Sequence, residues 1–92
     1  MLPMTHHAQA RLQQRGIPYD VVENLLDFGH EAHDHRGSRI VYFDHRARQQ
    51  LRRQVGTESY KRIEPHLDAY AVVADNGEVI TVGHRTRRIN RH

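Results

Sequence analysis

Residues 69–84 read AYAVVADNGEVITVGH, and this stretch decides the fold class. β-branched and small apolar residues run from Ala69 to Ala74 and again from Glu78 to Thr86, the composition of paired strands. Asn76-Gly77 between them is the dipeptide favoured in two-residue type I′ turns. Such a turn sets the register: Asp75 opposite Glu78, Val73 opposite Ile80, Ala71 opposite Val82 and Ala69 opposite His84. One face then carries Ala69, Ala71, Val73, Ile80, Val82 and His84. The other carries Asp68, Tyr70, Val72, Val79, Thr81 and Arg85.

Upstream of this hairpin the pattern turns helical. Thr5 is a suitable N-cap for a helix reaching about Arg15, with Gly16 as its left-handed stop. Pro18 opens a second helix that Gly29 closes. Its apolar side gathers Tyr19, Val21, Val22, Leu25, Leu26 and Phe28, opposite Asp20, Glu23, Asn24 and Asp27. A polar strand over His30–Asp34, a turn at Arg36-Gly37-Ser38 and a strand over Arg39–Phe43 form another hairpin. Arg46–Gln54 reads as a third helix, closed by Gly56, and Glu58–Glu64 as a short helical stretch stopping before Pro65. Both are poor in apolar residues and are expected to pack lightly. The fold class that results is α+β, with two N-terminal helices on a small antiparallel sheet. A helical segment is inserted before the C-terminal hairpin, and residues 1–92 make one domain.

Composition narrows the function. There is no cysteine, which removes disulfides and thiolate chemistry, and no apolar run long enough for a signal peptide or membrane span. A cytoplasmic location without membrane association is therefore expected. Of 14 basic residues only Lys61 is not arginine, and the formal net charge is +3. Arginine offers a planar, permanently charged fork that matches phosphate, although GC-rich coding also enriches arginine.

The first helix places part of that charge. Taking roughly 100° per residue from His7, Arg11 lies at about 40° and Arg15 at about 80°, beside a buried stripe of Met4, Ala8 and Leu12. His6 falls on the far side. Like charges four residues apart repel, so an anion is expected nearby, either a ligand or a carboxylate from the sheet. Arg46, Arg48, Arg52 and Arg53 on the third helix read as a solvated face or as an RNA-backbone rail, and Arg87 and Arg88 extend the basic tail. His33 and His35 share a strand face near His30, beside a polar cluster of Asp34, Arg36 and Tyr42. Nothing fixes a third or fourth metal ligand there, so no metal or cofactor is expected.

His7-Ala8-x-x-Arg11-x-x-x-Arg15-Gly16-Ile17, with the amphipathic helix and the late Val79–Arg85 strand, resembles the bacterial domain-of-unknown-function family numbered 4258. The likeness spans most of the chain, with residues 46–65 as an elaboration. It implies a helix-helix-sheet fold similar to the RelE-like toxins, within the wider barnase, colicin and EndoU-type group of metal-independent ribonucleases. Fold analogy by itself does not establish activity. On that likeness His7 is the acid or base and Arg11 and Arg15 hold the phosphate. His84, Arg85 and Thr86 at the end of the last strand complete the catalytic set. An RNA-cleaving domain is thus the leading expectation; the alternatives are a non-catalytic RNA- or ribosome-binding module and a domain that receives an acidic partner such as an antitoxin, and His84 reads equally as a satisfied histidine at the core edge.

Overall fold

The computed structural model describes residues 2–33 and 36–85. The helices are α1 (His6–Gln14), α2 (Tyr19–Phe28) and α3 (His45–Ile63), the last followed by a 3-10 turn at Glu64–His66. Four strands, β1 (His30–His33), β2 (Arg39–Tyr42), β3 (Ala69–Val73) and β4 (Val79–His84), form one antiparallel sheet in chain order. The chain is thus α+β, with helical residues inserted before the final hairpin.

The helices cover one face of the sheet. Ala8 from α1, Val21, Val22 and Leu25 from α2, and Ala47, Leu51 and Ile63 from α3 close over Val41, Ala71, Val73, Val79 and Val82. Leu51 is fully buried and Ile63 nearly so, so α3 packs more firmly than its sparse apolar content suggests. Ala47, Leu51 and Val55 recur every four residues, and that spacing lets a few side chains suffice. The two helical stretches expected around Gly56 run together as α3, kinked where Gly56 takes φ 84°.

The C-terminal hairpin departs from the expected turn. The Gly77 N–H donates to the Ala74 carbonyl at 2.9 Å, and the Ala74 N–H donates to Glu78 at 2.8 Å. Gly77 alone in this turn has positive φ, so the loop is a type I turn closed by a glycine bulge and not the type I′ turn. Ala69 and Ala71 face His84 and Val82 as expected, but Val73 pairs with Val79, leaving Ile80 as the extra residue. Val79 therefore joins the core and Ile80 does not, which reverses their expected faces. The N-terminal lead-in pairs with the same residue. Val79 donates to Pro3 at 2.8 Å and accepts from the Thr5 N–H at 3.0 Å, so residues 3–5 lie along the outer edge of β4.

Tyr19 also departs from its expected place. It is 37% exposed instead of packing in the α2 stripe, and its hydroxyl accepts a hydrogen bond from the Leu2 N–H. Among the described residues no helix is long and apolar enough to cross a membrane.

Candidate functional site

Thr5 positions the basic row of α1. Its hydroxyl accepts from the Ala8 N–H at 3.1 Å, capping the helix, and donates to the Ile80 carbonyl at 3.0 Å. Ala8, with no side chain beyond Cβ, is completely buried and lets α1 lie close along β4. His7 and Arg15 remain exposed and Arg11 is half-buried. The Arg11 Nε–H points to His7 Nε2 at 3.5 Å, a weak contact. Among the described residues no carboxylate forms an ion pair with His7, Arg11 or Arg15. Of the two anions expected, the sheet carboxylate is not found among the described residues.

At its C-terminal end α1 meets the end of β4. His84 Nδ1 lies 2.7 Å from Asp68 Oδ1, and His84 Nε2 lies 3.3 Å from the Arg15 carbonyl. His66 stacks on the His84 ring with centroids 6.1 Å apart. Both nitrogens of His84 are thus occupied, the arrangement of the satisfied core-edge histidine. His7 stands eight residues before Arg15, about 12 Å back along the helix. The structure therefore brings the end of the row to His84 and leaves His7 at the other end.

Arg85 leaves the strand on the opposite face from His84. Its guanidinium lies over the Tyr42 ring, Cζ 4.8 Å from the centroid, and its Nη2 reaches the Phe43 carbonyl at 3.5 Å. Thr86, Arg87 and Arg88 lie outside the described residues.

The arginines of α3 divide between two faces. Arg48 turns inward, donating from Nε to Phe43 at 3.2 Å and from Nη2 to the Leu67 carbonyl at 3.4 Å. Arg52 lies 5.8 Å from the Tyr60 ring. Arg46 and Arg53, two turns apart, share an outward groove with Gln49, Gln50 and Gln54. The four do not form a single rail.

The hairpin histidines pair with carboxylates: His30 with Asp44 at 3.5 Å and His33 with Glu31 at 4.0 Å. Asp34 and His35 lie outside the described residues, and among those described no three metal-binding side chains come together.

Asp68 and His66 were not singled out from the sequence. The hairpin register held a clue to Asp68, since Ala69 opposite His84 puts its neighbour within reach of that ring. Nothing local pointed to His66, which arrives through the 3-10 turn.

Comparison with protein-family models, curated proteins and solved structures finds no match to this chain.

Proposed function

We propose that this chain is an RNA-binding domain that holds the phosphodiester backbone along α1 and the adjoining end of β4. One observation carries the reading: cationic groups line this edge without compensation. Among the described residues Arg39 and Arg62 are ion-paired, with Glu31 and Asp20 at 3.1 Å each. On this edge Arg11 and Arg15 have no such partner. A folded protein that needed arginine only for solubility gains by interspersing carboxylates. An unpaired row is suited to phosphates, whose counterions are released on binding. Resemblance to the 4258 family and, through it, to RelE-like and EndoU-type domains points to the same polymer.

RNA cleavage is the second reading, and the exposed His7 ring beside Arg11 favours it. Nε2 of His84 faces a carbonyl, so His7 is the imidazole of the row still accessible to substrate. In that role His7 exchanges a proton with the reacting hydroxyl while Arg11 and Arg15 hold the phosphate.

A gel-shift assay with a labelled single-stranded oligoribonucleotide tests both. Replacement of Arg11 and Arg15 by alanine is expected to abolish the shift. His7→Ala should keep the shift and, under the second reading, stop cleavage. An unshifted RNA together with tight capture of an acidic protein segment would instead make the row a protein-docking surface.

A further inference from the structure

Among the described residues, the end of the sheet holds buried hydrogen-bond donors that meet no acceptor. Tyr42 is 2% exposed, and its buried hydroxyl has no partner. The buried Nε of Arg85, whose guanidinium covers the Tyr42 ring, has none either. Arg85 Nη2 and Arg48 Nε both donate to the Phe43 carbonyl, at 3.5 and 3.2 Å. Two guanidinium groups thus converge on one neutral oxygen, and among the described residues neither is ion-paired with a carboxylate.

Each feature costs free energy: like charges repel at short range, and a buried donor without an acceptor has lost its water. Buried polar groups in native proteins are rarely left so. One added group relieves all of these at once. An oxyanion has acceptors for the Arg85 fork and the Tyr42 hydroxyl, and its charge offsets both guanidinium groups.

We propose that Tyr42, Arg48 and Arg85 form a pocket for a phosphomonoester, the terminal phosphate of an RNA chain. An internal diester carries a single negative charge and continues as chain on both sides of the phosphorus, whereas the Tyr42 hydroxyl and Arg85 Nε are buried. A terminal phosphate also carries about −1.5 to −2 charge near neutrality, which matches two guanidinium groups. Among the described residues no carboxylate holds Arg85 on Tyr42, so its fork can turn to an arriving anion and uncover the hydroxyl. The identity of the polymer rests on the RNA-binding reading, whereas the phosphate chemistry does not.

Isothermal titration of the full chain tests the pocket, using inorganic phosphate and matched oligoribonucleotides ending in phosphate or hydroxyl. The phosphate-ended chain is expected to bind more tightly. Tyr42→Phe should reduce that preference by roughly tenfold, the value of a hydrogen bond to a charged group, without lowering the thermal midpoint, because the hydroxyl loses no partner. Arg85→Gln should remove the preference. Equal binding of both ends overturns the pocket while leaving RNA binding by α1 intact. Inorganic phosphate bound through Tyr42 and Arg85, with no RNA of either kind retained, upholds the pocket and refutes the RNA reading. A Tyr42→Phe protein that melts earlier and binds unchanged assigns the hydroxyl to the fold and overturns the proposal.

Discussion

Nε2 of His84 lies 3.3 Å from the carbonyl of Arg15, a contact between residues 69 positions apart that ties the last turn of the first helix to the end of the last strand. Asp68 holds the other nitrogen at 2.7 Å. Carbonyl and carboxylate are both acceptors, and the ring N–H meets one of them in either neutral tautomer. The orientation of the basic row against the sheet is set by this bridge at one end of α1 and by Thr5 at the other.

His84→Ala therefore loosens the end of α1. The bridge is partly exposed, His84 at 27% and Asp68 at 51% of their side-chain surface, so water replaces much of what is lost. The expected cost is about 1 kcal/mol, measured by urea denaturation. A shift of about 4–8 °C in thermal midpoint corresponds to that cost in a domain of this size. Abolished RNA cleavage at unchanged stability would move His84 from this bridging role into the chemistry.

Thr5→Ala removes both the N-cap and the link to Ile80. A lost cap costs about 0.5–2 kcal/mol, and the second hydrogen bond places this substitution in the upper part of that range. Thr5→Ser keeps the hydroxyl and should recover most of the stability. Equal losses for alanine and serine would show that the methyl group, and not the hydroxyl, holds α1 in place.

Gly29 and Gly16 are glycines for different reasons, and alanine separates them. Gly29 has an ordinary φ of −67°, but a Cβ there would sit 2.5 Å from the Leu25 carbonyl oxygen and 2.6 Å from Val41 Cγ1. Overpacking of this kind costs about 1–3 kcal/mol. Gly16 has φ 62° with nothing within 4 Å of a Cβ, so Gly16→Ala meets only the left-handed backbone penalty of about 1–2 kcal/mol. Backbone amide shifts are expected to spread into β2 for Gly29→Ala and to stay near the turn for Gly16→Ala. Shifts confined to the Gly29 site would contradict the packing argument.

Much of this architecture could be read from local pattern. Thr5, Gly16, Pro18 and Gly29 marked the limits of both N-terminal helices within a residue or two, because caps and breakers act locally. The hairpin register held at Ala69 and Ala71 and failed at Val73. Local pattern placed Gly77 in the turn but not the length of the loop, and Val79 is also held by Pro3 and Thr5, more than seventy residues earlier in the chain. The candidate site divides the same way. Helical spacing placed His7, Arg11 and Arg15 on one edge. It could not show that Arg48 turns inward to Phe43 and Leu67, or that Asp68 and Arg15 occupy both nitrogens of His84. Those contacts depend on how the sheet end closes, and no periodicity records it.

The salt dependence of RNA binding tests the uncompensated row most directly. The affinity of the unaltered chain and of the Arg11→Ala, Arg15→Ala double variant is measured for one single-stranded oligoribonucleotide across a salt series. Two lost phosphate contacts should lower the slope of log K against log salt by about 1.4, at roughly 0.7 per contact on single-stranded RNA, with the variant weaker throughout. Identical slopes and affinities for the two proteins would mean that the α1 arginines do not touch the backbone, and RNA binding along this edge would have to be abandoned.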